Sequence, residues 1–202
     1  MTALLWLSWC LVHSLTTEEL IIRRTSLGRT KFAAHYRLFY VAFATASFVA
    51  VWILTVVSGE VRVCSWEGLW RALQWVCWGM ALLLFWMSFR FQSVLAFLGF
   101  GFGQTGTDHG DSEEKLITYG IYGVIRHPQF AAGLLFLWTR DLTDTGFVMN
   151  LVLSTYLLLG SKIEEKKLVA RFGDQYMRYR QEVPAFIPRK IPRLGSLFSK
   201  DD

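Results

Sequence analysis

The feature that most constrains the fold is an uncharged stretch in the first third of the chain. Leu38 to Gly59 reads LFYVAFATASFVAVWILTVVSG and contains no ionisable side chain. At a rise of about 1.5 Å per residue, about 22 helical residues match a bilayer core of roughly 30 Å. Soluble domains rarely contain so long a helix that is apolar on every face. The stretch therefore predicts a transmembrane helix.

Two further apolar stretches predict membrane helices in the first half of the chain. Ala72 to Phe89 lies between Arg71 and Arg90, whose long side chains can reach the two membrane interfaces. Met1 to Thr17 is apolar but has neither a basic start nor a small-residue cleavage site. We interpret it as an uncleaved helix and not as a signal peptide.

Past the middle of the chain, Pro128 to Thr139 and Thr145 to Ser161 are each short for an independent span. The polar sequence RDLTD between them predicts a turn, so together they predict a helical hairpin. Composition agrees, because 53% hydrophobic residues and 9 tryptophans exceed what a soluble core of this size needs. The expected fold is an all-α integral membrane protein with about five transmembrane helices, or four as the alternative.

Basic residues predict the orientation of these helices. Five lie between the first two helices, from Arg23 to Arg37, and eight lie in the tail from Lys166 to Arg193. Both regions are expected to be cytoplasmic, and the loops EVRVCSWEGLWR and RDLTD are expected on the far side. Five spans then place the C-terminus inside, consistent with a bacterial inner membrane. Topology and anionic membrane lipid explain the net charge of +5, so nucleic-acid binding is not expected.

The chain divides into N-terminal transmembrane helices, residues 1–98, and a region that carries the chemistry, residues 99–202. The second region opens with a long glycine-rich and charged loop, which is expected to be cytoplasmic. Its G-x-G-x-x-G pattern at 101–106 follows a membrane helix and not a strand, so we interpret the match to a dinucleotide motif as accidental. We interpret the acidic cluster at 108–114 as a solvated loop and expect no metal site.

Arg126 and His127 lie at the edge of an apolar segment, where both are costly unless they have a role. Pro128 follows directly and is a favourable first helical residue, because its missing N–H costs nothing there. The free backbone N–H groups of that turn, together with Arg126, predict an anion-binding corner. The alternative is that the two residues only mark the membrane interface.

The second arm of the hairpin is expected to leave the membrane and to continue as a helix. Apolar and aromatic residues recur there at steps of three and four, which predicts one continuous face: Leu168, Phe172, Tyr176, Tyr179 and Val183. Glu164 and Glu165 lie at the membrane exit, where the hairpin brings them close to Arg126 and His127. Adjacent helical residues point about 100° apart, so only one glutamate is expected to face the corner. These groups together suit a zwitterionic ligand.

Two ordered motifs flank the hairpin. The first, T-x-G-x-Y-x-x-x-R-H-P-x-[YF], consists of Thr118, Gly120, Tyr122, Arg126, His127, Pro128 and Phe130. The second, EE…L…FG..Y..Y…VP, consists of Glu164, Glu165, Leu168, Phe172, Gly173, Tyr176, Tyr179, Val183 and Pro184. Over roughly Glu114 to Pro188 they resemble the signature of the isoprenylcysteine carboxyl methyltransferase and phospholipid methyltransferase superfamily of membrane enzymes. The N-terminal sequences LVHSL and YRLFY resemble its bacterial branch of NnrU-like proteins and membrane thiol methyltransferases.

The resemblance implies methyl transfer from S-adenosylmethionine (SAM), with a cofactor site built from the two motifs. The implied cofactor-binding residues are Leu116, Ile117, Tyr122, His127, Pro128, Gln129, Phe130 and Glu164. The implied catalytic residues are Arg126, which would steady a carboxylate or a developing charge, and its partner Glu165. The helix of Tyr176 and Tyr179 would close the site.

Three positions depart from the superfamily pattern. Ile121 replaces a frequent proline, and Phe130 replaces a frequent tyrosine. Gly160 stands where prenylcysteine enzymes usually carry a substrate-binding arginine, so a substrate carboxylate would lack that partner.

The implied acceptor is lipophilic or small, with a thiol, carboxylate or amine, and would reach the site laterally from the bilayer while SAM enters from the cytoplasm. One alternative is an NADPH-dependent membrane reductase on a related scaffold, since Arg171 and Arg178 could bind a 2′-phosphate. The other is a non-catalytic accessory protein. Neither the identity of the acceptor nor the oligomeric state follows from the sequence.

Overall fold

The computed structural model describes residues 1–16, 31–58, 61–90 and 116–189 of the 202-residue chain. In these ranges it forms six α-helices: α1 (Thr2–Leu15), α2 (Lys31–Val57), α3 (Leu69–Arg90), α4 (Pro128–Thr139), α5 (Asp144–Phe172) and α6 (Asp174–Glu182). The same ranges contain the short strands β1 (Arg62–Cys64) and β2 (Leu142–Thr143) and a 3-10 turn at Gly120–Gly123. The glycine pattern at 101–106, the acidic cluster at 108–114 and the predicted domain boundary at 98 and 99 lie outside the described residues.

The chain forms two compact units. The first contains α1, α2, β1, β2 and the start of α5 up to Leu153. The second contains α3, the 3-10 turn, α4, the rest of α5 and α6. All the site residues predicted from the sequence belong to the second unit.

In the first unit, α1 packs antiparallel on α2 through side-chain hydrogen bonds. The indoles of Trp6 and Trp9 donate to the hydroxyls of Thr55 and Ser47 at 3.0 and 3.1 Å. Such bonds hold apolar helices together in lipid, where the hydrophobic effect between helices is absent.

Also in the first unit, β1 and β2 pair antiparallel, with Arg62 opposite Thr143 and Cys64 opposite Leu142. β1 lies in the loop EVRVCSWEGLWR and β2 lies in the turn RDLTD. The pairing therefore joins the two loops that were both expected on the non-cytoplasmic side of the membrane from the distribution of basic residues.

In the second unit, α3 packs antiparallel on α4. At one end, the hydroxyl of Tyr122 lies 3.4 Å from the carbonyl of Ser88. At the other end, Asp141 accepts from the backbone N–H of Trp66 at 3.1 Å and pairs with Arg71 at 3.1 Å. The Trp66 N–H and the Arg71 guanidinium hold the pKa of Asp141 below its ordinary value.

Within the described ranges, three helical segments are long and apolar enough to cross a bilayer: Leu38–Val57, Leu69–Arg90 and Asp144–Phe172. α1 has 14 residues and α4 has 12, fewer than the roughly 20 that a span needs. The chain therefore has the helices of an integral membrane protein, and the count of five spans stays a prediction.

The second arm of the hairpin continues as a helix beyond Ser161, as predicted, because α5 runs from Asp144 to Phe172. The expectation that this arm is short for an independent span is wrong, because α5 is long and apolar enough to span a membrane by itself.

The predicted continuous helix to Val183 is wrong, because α5 ends at Phe172. Gly173 follows with a φ of 53°, a left-handed conformation that glycine adopts without the steric cost of a Cβ atom, and α6 begins at Asp174. Tyr176 and Val183 nevertheless pack with residues of α5 in one apolar cluster. The apolar face thus continues across a break that its spacing does not reveal.

Candidate functional site

Arg126 connects three parts of the second unit. Its Nη2 and Nε donate to Glu165 Oε1 at 2.6 and 3.0 Å. Its Nη1 donates to the carbonyl of Arg180 at 2.8 Å and to the carbonyl of Val183. A guanidinium has five N–H groups, and these four bonds occupy most of them. Arg126 thereby ties the loop before α4 to α5 and to the end of α6.

The backbone beside Arg126 binds the segment that follows α6. The N–H groups of Arg126 and His127 donate to the carbonyls of Pro184 and Ala185 at 2.9 and 3.0 Å. The two residues before α4 and the end of the second motif are therefore in direct contact, although they are far apart in sequence.

His127 is 4% exposed and lies between two carboxylates. Its Nε2 is 3.2 Å from Glu165 Oε1, and its Nδ1 is 3.5 Å from Glu164 Oε2. The rings of Phe130 and Phe186 flank the imidazole at centroid distances of 5.5 and 5.7 Å. An ionised carboxylate only accepts hydrogen bonds, so Nε2 is the nitrogen that donates to Glu165. Nδ1 is left facing Glu164.

Glu164 and Glu165 have different surroundings. The Glu165 side chain is 11% exposed, accepts from Arg126 and His127, and lies 3.4 Å from Arg180 Nε. The Glu164 side chain is 51% exposed. Only one glutamate is buried in the corner, as expected, although the other reaches His127 from the edge. Glu165 is thus neutralised within the protein, whereas Glu164 is accessible to a ligand.

The other residues assigned to the cofactor from the sequence do not all join this cluster. Leu116 packs against the apolar cluster of α6, and Ile117 is half-buried. Pro128 is buried at the first position of α4. Gln129 instead lines an apolar groove between α3 and α4, and its buried amide nitrogen has no hydrogen-bond partner in the described part of the chain.

Two tyrosines of α6 are buried, but their hydroxyls differ. Tyr179 donates to the carbonyl of Tyr122 at 2.6 Å. Tyr176 is 1% exposed, and its hydroxyl has no hydrogen-bond partner among the described residues. Burial and the nearby charge of Glu165 raise the pKa of Tyr176 to about 12, so the phenol is protonated at neutral pH.

Several partners in the cluster were not found from the sequence. Arg180 was noted only as a basic residue of the tail, yet it approaches Glu165 and helps to line an open groove of ≈390 Å³ together with Lys162 and Lys166. Its position directly after Tyr179 in the second motif is a signal that could have found it. The carbonyls of Val183 and Ala185 leave no such signal, because every residue has a carbonyl.

The fold and the site together resemble one class of membrane proteins. Apolar membrane-type helices carry an Arg-His-Pro corner against a Glu-Glu pair, as the resemblance to the isoprenylcysteine carboxyl methyltransferase superfamily implies. Comparison with known proteins confirms that resemblance, because the relatives include methanethiol S-methyltransferases and protein-S-isoprenylcysteine O-methyltransferases.

Three relatives show how far the similarity extends. A methanethiol S-methyltransferase of Pseudomonas sp. (strain GM41(2012)) is 31% identical over 137 residues, which cover 64% of this chain and 49% of the relative. The protein-S-isoprenylcysteine O-methyltransferase of Schizosaccharomyces pombe is 31% identical over 100 residues, or 48% of this chain and 42% of the relative. The Xenopus laevis enzyme of the same name is 24% identical over 169 residues, which cover 81% of this chain and 55% of the relative.

The chain spans about half the length of these curated relatives. No protein-family model matches the chain, and no solved structure matches it significantly.

Proposed function

We propose that the chain is an integral membrane methyltransferase that uses SAM. The observation that carries the proposal is the contact of two distant motifs at His127, whose buried imidazole lies between Glu165 and the accessible Glu164. Relatives named as S- and O-methyltransferases support the same reaction class.

The chemistry of these residues fits a cofactor with a cationic centre. Arg126 neutralises Glu165, so the negative charge that remains available is that of Glu164. The faces of aromatic rings such as Phe130 and Phe186 also attract cations. When bound, SAM would supply an electrophilic methyl group, so that a thiol acceptor would yield a methyl thioether, the demethylated cofactor and one proton. Within this scheme Glu164 and His127 hold the cofactor.

The contacts support a positioning role for Arg126 and Glu165 in place of the catalytic role predicted from the sequence. Four of the N–H groups of Arg126 are used inside the protein. Glu165 Oε1 accepts from both Arg126 and His127. These two residues would fix the orientation of the imidazole and keep the motifs together, which aligns the reactants.

We propose a thiol as the methyl acceptor. The relatives named methanethiol S-methyltransferases support this class of acceptor. Among the described residues outside its own helix backbone, none comes within 4 Å of where a Cβ of Gly160 would lie, so open space stands there in place of the arginine that would pair with a substrate carboxylate. A thiol needs no such partner.

We also propose the five-helix topology, with the site and the C-terminus on the cytoplasmic side of an inner membrane. Lys162 and Lys166 line the groove beside the site, which fits the excess of basic residues at cytoplasmic helix ends. The short α1 and α4 would be the first and the fourth of these five helices.

The test is ligand binding to the purified protein in detergent. SAM is expected to raise the thermal unfolding temperature, whereas NADPH is not. Glu164→Gln should weaken SAM binding about tenfold, because a hydrogen bond to a charged group is worth roughly 1.5–3 kcal/mol. The same change at the exposed Glu182 is the matched control and should leave the affinity unchanged.

A second measurement uses membranes that contain the protein, radiolabelled SAM and added thiols. Label is expected in thioether products. A protein stabilised by NADPH but not by SAM would support the reductase alternative and end the proposal. Loss of SAM binding in the Glu182 control, as in Glu164→Gln, would show that Glu164 has no specific role.

A further inference from the structure

A basic groove lies between α5 and α6 in the second unit. Its volume is ≈390 Å³, within the range for small-molecule sites. Four residues of α5 and one of α6 line it: Lys162, Glu165, Lys166, Val169 and Arg180. The residues of α5 recur at steps of three and one and three, so a single face of that helix forms one wall. Three of the lining side chains are cationic and one is anionic, so the groove as a whole is positive.

Glu165 separates this groove from the His127 cluster. Its Oε1 accepts from Arg126 and lies 3.2 Å from His127 Nε2, whereas its Oε2 lies 3.4 Å from Arg180 Nε. Neither His127 nor Glu164 lines the groove. Because Arg126 already compensates the charge of Glu165 from the other side, this carboxylate does not cancel the cations of the groove.

The cations of the groove are left without acidic partners of their own. Among the described residues, neither Lys162 nor Lys166 has a hydrogen-bond or ion-pair partner. Arg180 directs its Nε towards Glu165, and its two terminal nitrogens have no partner in the same ranges. Two ammonium groups and one guanidinium are the donors that proteins use to bind phosphate. The groove therefore matches a phosphate group in charge and in donors.

The groove lies where α5 leaves its apolar sequence. Residues 145–161 carry no charged side chain, and Lys162 is the first charged residue after them. The 29 residues of α5 extend about 44 Å at 1.5 Å per residue, which exceeds a bilayer core of roughly 30 Å. The exposed Leu159 and Ile163 each precede a groove lysine by three residues. An exposed apolar stripe thus continues into the basic groove, as expected where acyl chains meet lipid headgroups.

We propose that this groove binds the phosphate of an anionic phospholipid, whose acyl chains lie along Leu159 and Ile163. Lys162 and Lys166 attract the phosphate by charge, and Arg180 donates to its oxygens through the terminal N–H groups. Because Arg180 also approaches Glu165, the bound lipid holds α6 against α5. The inference goes beyond the proposed function, since this lipid is a structural ligand and not the methyl acceptor.

Thermal unfolding of the purified protein in a neutral detergent tests the site. The probes are dioctanoyl phosphatidylglycerol, dioctanoyl phosphatidylcholine and inorganic phosphate at equal concentration. We expect phosphatidylglycerol to raise the unfolding temperature by about 2–4 °C and the other two to leave it nearly unchanged. Phosphatidylcholine has the same acyl chains and phosphate, but the cations of the groove repel its choline.

Paired substitutions locate the effect. Lys162→Gln together with Lys166→Gln removes two exposed cations of the groove, and the temperature rise with phosphatidylglycerol should disappear. Arg178→Gln together with Arg189→Gln is the matched control, because it removes the same charge from exposed positions outside the groove. The control should keep the wild-type response.

Native mass spectrometry gives a readout that does not depend on stability. The wild type and the control should retain one phosphatidylglycerol per chain. The double lysine variant should bind this lipid about tenfold more weakly, since each basic residue near a membrane surface contributes to the attraction of anionic lipid. Arg180→Gln should also weaken binding, whereas Arg178→Gln alone should not.

Two results would overturn the inference. Equal loss of the response in the lysine variant and in the arginine control would show attraction by net charge without a defined site. A rise with inorganic phosphate as large as that with phosphatidylglycerol would assign the groove to a soluble phosphate compound and not to lipid. Both readouts are made without SAM, so failure of the proposed function would leave them unchanged.

Discussion

An arginine–carboxylate pair lies at each end of α4, and the two pairs have opposite surroundings. Before α4, Arg126 and Glu165 are 2.6 Å apart and their side chains are 9% and 11% exposed. After α4, Arg71 and Asp141 are 3.1 Å apart and their side chains are 44% and 46% exposed. Breaking a buried pair leaves an uncompensated charge out of water, whereas water screens an exposed pair. The same chemical pair therefore holds the site together at one end and only secures a loop at the other.

The largest difference is expected when one carboxylate is neutralised. Glu165→Gln removes the counter-charge of Arg126 and should lower the free energy of unfolding by about 3–5 kcal/mol. Thermal or denaturant unfolding in detergent measures this loss. The matched change at the other end, Asp141→Asn, should cost far less. Equal losses in the two variants would show that burial does not separate the two pairs.

The tyrosines of α6 are neutral polar groups near the buried Arg126–Glu165 pair, and they extend the comparison from charged to uncharged hydrogen-bonding groups. Tyr179→Phe removes the hydroxyl that donates to the carbonyl of Tyr122 and should cost about 1–2 kcal/mol. Tyr176→Phe removes a hydroxyl that has no partner in the described chain, so stability should be unchanged or slightly higher. The unfolding temperatures of the two variants, measured under the same conditions, test this difference in stability. A larger loss for Tyr176→Phe would mean that its hydroxyl makes a bond essential to the fold.

The smallest expected effect is the loss of stability at the exposed end of α4 when acid protonates Asp141. The pKa of Asp141 in the folded protein lies below its ordinary value of 3.8. The contacts of the ionised carboxylate with the Trp66 N–H and with Arg71 therefore add stability above that pH, and the contribution is lost as the pH falls through the folded-state pKa. Because the pair is exposed, the contribution should be at most about 1 kcal/mol.

Unfolding temperatures of wild type and Asp141→Asn between about pH 3 and 6 should thus converge at the acid end. A gap that widens as the pH falls would contradict the sign of this linkage.

Part of this architecture could be predicted from the sequence. The bounds of α4 were predicted because Pro128 favours the first helical position and RDLTD favours a turn. The pairing of Arg126 with Glu165 followed from the hairpin together with the resemblance.

Other features could not be predicted. The helix break at Gly173 could not be predicted, because the apolar spacing of three and four residues continues across it. The backbone carbonyls that bind Arg126 could not be found, since they depend on tertiary structure and not on residue type. The motif assigns Gln129 to the cofactor, but it does not reveal that Gln129 lines a groove between α3 and α4.

The bonds from Arg126 and His127 to the segment of Val183, Pro184 and Ala185 have a consequence for biogenesis. This segment follows every described membrane helix along the chain, so a ribosome makes it after all of them. The helices can enter the bilayer early, but the pocket around the imidazole closes only when the last of these residues has emerged. A nascent polypeptide would therefore be inserted before its two motifs can meet.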